Sequence, residues 1–309
     1  MTSLVLGGGG FIGGHLCEAL LAAGERVRVL ERPRLKLDDT PELRQHVEWH
    51  EGDFTNPVDV AEAIAGCDKV YHLISTTLPK TSNDNPVYDL ESNVAATLRL
   101  LDLIRQANFP CKIIFVSSGG TVYGDPQTNP IPESHPTDPI CAYGISKLAI
   151  EKYLGLYHRL HGIDYIVLRL ANPYGEGQRF DAIQGAIPVF MHKALANTAI
   201  DIWGDGGIVR DYIHIADVTR ALLLAASYKG SHHIFNIGSG KGTNLNELLH
   251  ILEQLLDRPV RHRLLPARSF DAPMNILDVS KAQRLLQWQP EIVLRDGMAR
   301  LLQHMKRLC

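Results

Sequence analysis

The apolar run Leu4-Val-Leu6 stops at Gly7-Gly-Gly-Gly10 and gives way to Phe11-Ile-Gly13 and an amphipathic stretch. A strand, a glycine loop and a helix in that order leave few folds open to a chain. Glycine lets the backbone approach a pyrophosphate, whose charge then meets the free N–H groups at the helix start. The spacing is GxxGxxG on Gly7, Gly10 and Gly13 rather than GxGxxG, and a plain glycine-rich turn would read the same in isolation. The pattern downstream supports the phosphate cradle. Apolar runs at Leu4–Leu6, Arg26–Leu30, Val47–His50, Lys69–Leu73, Lys112–Ser117 and Tyr165–Leu170 alternate with helical spacing at His15–Ala23, Val58–Ala65, Leu90–Ala107 and Ala142–His161. That rhythm predicts βαβ units around a parallel sheet.

Beyond Leu170 the rhythm breaks. Asn172-Pro-Tyr-Gly-Glu-Gly177 is turn-rich, Ile200–Trp203, Tyr212–Ile215 and Ile234–Ile237 read as strands, and Ile187–Ala196, Asp217–Ala226, Leu245–Leu256 and Ser280–Gln287 read as helices. The expected fold is therefore α/β, a Rossmann-type doubly wound parallel sheet with a smaller mixed α/β C-terminal lobe for the substrate. The first domain spans residues 1–171, with 211–237 returning to it, and 172–309 form mainly the second. The proline-rich loop Asp125–Pro139 is long for a plain connection, which fits a functional loop.

Composition closes off several classes. The 309 residues are ample for a buried core, and a net charge of −3 without a Lys/Arg run carries no nucleic-acid footprint. No apolar run approaches a membrane span, and Met1-Thr-Ser-Leu4 lacks the basic start of a signal peptide. Cys17, Cys67, Cys111, Cys141 and Cys309 stand singly, which fits reduced thiols in the cytoplasm. The histidines form no HExxH and no Cys/His grouping, so no metal is expected.

Chemistry concentrates at Tyr143-Gly-Ile-Ser-Lys147. Positions i and i+4 share a helix face, so Tyr143 and Lys147 can point into one cleft. A tyrosine hydroxyl is ordinarily too basic to lose its proton at neutral pH, and a nearby ammonium is expected to favour the phenolate. Taken alone, Tyr143 and Lys147 read better as the ordinary start of a helix. Ser118 and Thr121 emerge at the end of the fifth strand in Phe115-Val-Ser-Ser-Gly-Gly-Thr-Val-Tyr-Gly124. Such hydroxyls are often turn formers, but beside Tyr143 they read as hydrogen-bond donors to a substrate oxygen. Glu31 ends the second strand, about 20 residues past the loop, where a carboxylate takes the ribose hydroxyls of NAD. Arg32 and Arg34 point the other way, toward the 2′-phosphate of NADP; NAD is the expected cofactor. Asp53 suits an adenine amino group or a helix or turn cap. Leu73, Ile74 and Ser75 close the fourth strand, where backbone would flank the cofactor.

The chain resembles the extended short-chain dehydrogenase/reductases that act on nucleotide sugars, and among them the UDP-glucose 4-epimerase group. The likeness rests on Gly7–Gly13, Gly52-Asp53, Asn93, Val122-Tyr-Gly124, Tyr143–Lys147, Arg169-Leu-Ala-Asn-Pro173, Val209-Arg-Asp-Tyr-Ile-His214, Asn236-Ile-Gly-Ser-Gly240 and Asp278-Val-Ser-Lys-Ala282, nearly the whole chain. It implies that Tyr143 is the acid/base and that Lys147 binds the nicotinamide ribose while tuning Tyr143. It implies an NAD site on Gly7, Gly10, Phe11, Ile12, Gly13, Glu31, Arg32, Asp53, Phe54, Leu73, Ile74, Ser75 and Asn93. Asn172 would contact the substrate's pyrophosphate side, Ile202 and Trp203 the uracil, and Arg210, Arg268 and Asp271 the nucleotide's phosphates and ribose. The planar fork of arginine suits phosphate on its own chemistry. Asn275 would border the sugar, where some relatives carry a tyrosine. The smaller Asn leaves room for an acetamido group, so UDP-GlcNAc/GalNAc stand beside UDP-Glc/Gal as substrates. Helices Leu90–Ala107 and Ala142–His161 correspond to those that pair in a family homodimer, while the residues alone equally allow a monomer.

Two departures sharpen the expectation. The family's catalytic Ser or Thr falls at Gly119, so Ser118 and Thr121 are the hydroxyls left to replace it. The 4,6-dehydratases carry an Asp-Glu pair where Gly120 and Thr121 stand, and without those carboxylates dehydration lacks its acid and base. The expected reaction is C4 epimerisation through a 4-keto sugar. Two alternatives stand beside it: a nucleotide-sugar ketoreductase that consumes NAD(P)H, and a non-catalytic NAD-binding sensor, suggested by Gly119.

Overall fold

The computed structural model describes residues 1–33, 41–107, 110–178, 185–267 and 272–308, so Arg34, Arg268 and Asp271 lie outside the described residues. The chain divides into two compact units. The first comprises Met1–Asp125, Pro136–Leu170 and Thr219–Phe235; the second comprises Pro126–His135, Ala171–Val218 and the chain from Asn236 on. The returning segment thus lies inside 211–237, and residues 126–135 of the long loop group with the second unit.

Six strands build the first unit: β1 (Thr2–Leu6), β2 (Arg26–Glu31), β3 (Glu48–Glu51), β4 (Lys69–His72), β5 (Lys112–Ser118) and β6 (Asp164–Leu170). They pair in parallel in the order β6-β5-β4-β1-β2-β3, with Ile234–Ile237 beside β6. Leu4, Val5 and Leu6 are all fully buried, as continuous apolar strands must be when helices cover both sheet faces. The chain reverses direction across the sheet between β1 and β4, and ligands of such sheets bind at strand ends there. The ends do meet: Leu73 donates its N–H to Leu6 O at 3.1 Å.

Local chemistry sets the helix ends. Asn56 accepts from Val58 N at 3.1 Å and Pro57 begins the helix Pro57–Ile64, the preferred cap and first residue. Helix Ala142–His161 stops at Gly162, whose φ of 71° lies in the left-handed region that favours glycine, with His158, Arg159 and His161 facing the negative end of the dipole. The helical reading of Leu90–Ala107 needs correcting at its start. Leu90–Ala95 is a π-helical turn, continuous with Pro86–Asp89 before it and with Ala96–Ala107 behind it. The extra residue of a π turn re-aims side chains, and such turns recur at functional sites.

His72, on β4, is almost fully buried, with its ring edge-on to Phe54 and Phe115 at centroid distances of 5.0 and 5.2 Å. Thr97 Oγ1 gives its proton to Asn93 O at 2.6 Å, so His72 Nε2 is the donor in the 2.9 Å bond to Thr97 Oγ1. The neutral imidazole is the form that fits. Burial, then repulsion from Lys147, pulls its pKa down to about 3. The unfolded chain therefore takes up this proton near pH 6.5 and the folded one does not. Stability from this group is complete above pH 6.5 and falls at up to about 1.4 kcal/mol per pH unit below it. Urea titrations from pH 7 to 5 should show a shallower loss in His72→Gln than in the native protein.

The second unit has its own core, in which Phe190, Met191, Ile200, Leu248, Leu252, Met298, Leu301 and Leu302 are buried together. Strand Val209–His214 organises it, pairing with Asn172–Tyr174, Gly242–Asn244 and Met274–Asn275, while Ile200–Trp203 pairs with His262–Leu265. The helix Leu294–Leu308 closes the chain. Among the described residues no helix is long and apolar enough to cross a membrane, and no three His, Cys, Asp or Glu gather as metal ligands.

Candidate active site

The glycine loop sits between β1 and the helix Phe11–Ala22 as its spacing demands. Gly7 has φ 87°, and a Cβ on Gly13 would lie 2.1 Å from Gly7 O, so neither position accepts a side chain without rebuilding the turn. Gly10 caps the helix without a side-chain partner, and the first turn holds no acidic residue, which leaves its N–H groups for an anion. Phe11 and Ile12 come next, half-buried. Ile74 Cγ1 packs 3.2 Å from where a Gly7 side chain would start, so the end of β4 forms the other wall. These features fit a dinucleotide pyrophosphate.

Glu31 lies at the end of β2, 6% exposed, accepting Gly9 N and Arg32 N at 3.1 Å each. Burial raises its pKa, and the two N–H groups oppose the rise. Arg32 is turned to Asp53, with Nε 3.1 Å from Oδ2. Of the two arginines that spoke for a 2′-phosphate, Arg32 is thus engaged by a carboxylate, while Glu31 closes β2 against the glycine loop. Asp53 also accepts from Thr55 N and Thr55 Oγ1 at 2.8 Å each, the turn-capping role that its sequence equally suggested. Phe54 is buried among core residues, which leaves only its backbone for a ligand.

One pocket holds Tyr143 and Lys147 together. Ser75, Asp89, Asn93, Tyr143, Ser146, Lys147 and Ile150 line it. Lys147 is 4% exposed and donates to Val116 O at 2.9 Å, with its ammonium 4.8 Å from the Phe115 ring centroid and 5.6 Å from that of Tyr143. The Tyr143 hydroxyl departs from the expected lowering of its pKa. Burial pushes the hydroxyl up to about 12; a hydrogen bond with Ser75 pulls it back, and the charges of Cys141 and Asp89 add to the rise. Burial likewise draws Lys147 down to about 8, against the pull of Asp89 and Glu151. Desolvation outweighs the attraction between the two side chains because the ammonium bonds to the Val116 carbonyl and not to the phenol oxygen.

Asn93 is saturated. Its Oδ1 accepts Thr76 N at 3.0 Å, and its Nδ2 donates to Thr76 Oγ1 and Asp89 O at 2.9 Å each. It therefore clamps the Ser75–Thr77 segment to the π turn. Thr121 Oγ1 is buried without a hydrogen-bond partner, whereas Ser118 is partly exposed. A Cβ on Gly144 would come within 2.8 Å of Thr121 O, so glycine next to Tyr143 is what lets the Thr121 turn approach this helix.

In the second unit, Asn172 Nδ2 donates to Asp211 O at 2.8 Å, and Arg210 Nη1 donates to Val209 O and Ala272 O at 2.9 and 2.7 Å. Asn275 pairs in register with Arg210 and is 4% exposed. The Asp211 carboxylate accepts Ser239 N, Ser239 Oγ and Gly240 N at 2.7, 2.6 and 3.2 Å, fixing the Gly238-Ser239-Gly240 turn. Ile202 requires correction: it is fully buried in the core, because alternation along Ile200–Trp203 sends it inward and leaves Trp203 on the half-exposed face. The sequence reading passes over Asp89 and gives no task to the side chains of Ser146 and Thr77. Asp89 stands four residues before Asn93 and Ser146 one before Lys147, spacings that could have drawn attention to both.

The model of the NAD dependent epimerase/dehydratase family matches residues 3–238. A dTDP-4-dehydro-6-deoxyglucose reductase of Escherichia coli is 35% identical, with 98% of this chain and 97% of that protein aligned. A UDP-glucose 4-epimerase of Mycolicibacterium smegmatis is 32% identical over 98% of each. The crystal structure of the Thermotoga maritima UDP-glucose 4-epimerase with UDP-glucose superposes with a TM-score of 0.93 at 32% identity, covering 100% of this chain and 99% of that one. By motif, fold and match over most of its length, the chain belongs to the NAD-dependent epimerase/dehydratase family, as an extended short-chain dehydrogenase/reductase.

Proposed function

We propose that this protein is a nucleotide-sugar 4-epimerase acting on a UDP-hexose or UDP-N-acetylhexosamine through a 4-keto sugar. The observation that carries the reading is the placement of Tyr143 and Lys147 on one buried pocket, beside the unpartnered hydroxyl of Thr121's turn and the wall that begins at the glycine loop. Gly7–Gly13, Glu31 and Lys147 would hold NAD, which when bound supplies reversible oxidation at C4. Tyr143 takes the proton of the 4-hydroxyl and later returns one. Thr121 gives the 4-oxygen a hydrogen bond, with Ser118 as the alternative donor. Asn172, Trp203 and Arg210 bind the nucleotide, and Asn275 borders the sugar.

The test is direct. Purified protein incubated with UDP-Glc, UDP-Gal, UDP-GlcNAc or UDP-GalNAc, with no added cofactor, should interconvert one epimer pair by NMR. No turnover on any of them removes the reading. The 35% identity to a reductase favours one second reading, net reduction of a ketosugar, which stoichiometric NAD(P)H consumption would reveal. The engagement of Arg32 by Asp53 weakens its NADP form.

A homodimer is part of the same proposal. Ile145, Tyr153, Leu156 and Leu160 are exposed at helical spacing along Ala142–His161, with Leu156 44% and Leu160 62% exposed. Leu156→Glu/Leu160→Glu should halve the mass seen by light scattering while leaving the circular dichroism unchanged.

A further inference from the structure

The pocket that holds the reactive pair also holds a buried carboxylate to which neither motif nor mechanism gives a task. Asp89 is fully buried. Thr77 Oγ1 and Ser146 Oγ donate to it through short hydrogen bonds, and Asn93 Nδ2 lies 3.2 Å from its Oδ1. All three donors are neutral, and no cation among the described residues contacts it. A carboxylate taken this far from water needs an opposite charge somewhere near.

The other charges around the pocket are accounted for. Facing Lys147 are Tyr143 and Glu151 from its own helix, His72 from β4, the Val116 carbonyl and Phe115 ring from β5, and Asp89 from the segment packed against that helix. Glu151 is claimed by Arg169 of β6, whose Nη2 lies 2.6 Å from Oε2 and whose Nε also reaches both oxygens. His72 is neutral and Tyr143 is protonated in this geometry. Asp89 and Lys147 are left as the unmatched anion and cation of one pocket.

We propose that Asp89 is a positioning residue whose buried charge holds Lys147 in its ammonium form, poised for the cofactor ribose and for Tyr143. The proposal rests on the reading of Tyr143 and Lys147 as the reactive pair. Ser146 and Thr77 supply the means: they fix the carboxylate by hydrogen bonds without neutralising it, so its field remains directed at the pocket. The arrangement sets the sign. A neutral residue in place of Asp89 leaves the desolvation of Lys147 unopposed except by the already paired Glu151, and the ammonium is lost at lower pH.

The experiment is a pH titration of the Lys147 15Nζ signal by NMR in the full-length protein as purified, assigned by its disappearance in Lys147→Met. Asp89→Asn and Asp89→Ser, two neutral replacements so that one well-folded variant suffices, should lower the titration midpoint by about one pH unit or more. The alkaline limb of kcat/KM should move with it. Asp89→Glu, Thr77→Val and Ser146→Ala disturb the same hydrogen bonds but keep the charge, and should leave the midpoint near its native value. A midpoint unmoved by the neutral replacements, or moved as far by Thr77→Val and Ser146→Ala, overturns the proposal. The titration is read without substrate, so failure of every UDP-sugar to turn over would remove the epimerase reading and leave this result intact.

Discussion

Replacing Tyr143 with phenylalanine is expected to lower kcat by a factor of about 10²–10⁴, the usual contribution of a positioned acid/base. The ring keeps its place at the start of Ala142–His161, so KM, bound cofactor and thermal midpoint should stay close to native. The hydroxyl's partner is Ser75, whose Oγ also donates to the Thr77 carbonyl at 3.0 Å, so little of the fold rests on it. Burial pushes the Tyr143 hydroxyl up to about 12, which favours the phenol at neutral pH. Proton transfer from it therefore leans on the ammonium of Lys147, which burial draws down to about 8 and which is still charged at pH 7. Turnover in native protein should decline as pH rises through about 8, because the ammonium that favours the phenolate is then lost. Measurement of kcat across a pH series on native and Tyr143→Phe proteins checks both statements. A variant with native kcat would mean that Tyr143 transfers no proton, and the assignment of the pair would fall.

Why Tyr143 and Lys147 are legible in the sequence, and Asp89 is not, is a matter of distance along the chain. An i,i+4 pair needs only one helix to bring its members together, and a strand–glycine–helix run needs only one turn. The Asp89 cluster brings Thr77 and Asn93 together with Ser146, which lies 57 residues beyond Asp89, and depends on a π turn that leaves no mark in hydrophobic spacing. The misplacement of Ile202 has a different reason. The strand is evident, but its phase is fixed by which face packs on the second core, and a four-residue run does not state it. Asn172-Pro-Tyr174 reads as a turn because proline interrupts it, yet it pairs with Tyr212–His214 at a sheet edge, where proline is tolerated. The helix Leu294–Leu308, absent from the expected elements, does carry a signal. Leu294, Met298, Leu301, Leu302 and Met305 repeat at helical spacing and pack in the second core.

The largest effect on stability should come from Arg169, which no substrate needs to touch. Its guanidinium reaches Glu151 with Nη2 at 2.6 Å and Nε at 3.1 and 3.2 Å, and Ser117 Oγ adds a 2.5 Å bond to the same carboxylate. The side chains are 3% and 1% exposed, and the guanidinium carbon lies 4.8 Å over the Tyr123 ring. Ion pairs this dry are not stabilising merely because they exist, since taking two charges out of water costs as much as their attraction returns. Breaking one is another matter. Arg169→Met leaves Glu151 charged and unpaired, and should cost about 3–5 kcal/mol, a large part of the stability of an ordinary domain. Arg169→Met/Glu151→Leu removes both charges and should recover most of that loss, leaving mainly the unmet Ser117 hydroxyl and imperfect packing on Tyr123. Urea denaturation followed by circular dichroism, run on native, single and double variants, reads the difference as a cycle. The single variant should also disturb the chemistry. Glu151 lies one helical turn beyond Lys147, and once unpaired its charge would raise the lysine's pKa, moving the alkaline limb upward, opposite to the Asp89 replacements. Equal destabilisation in the single and double variants would mean that packing against Tyr123, and not the charge of Glu151, is what Arg169 supplies.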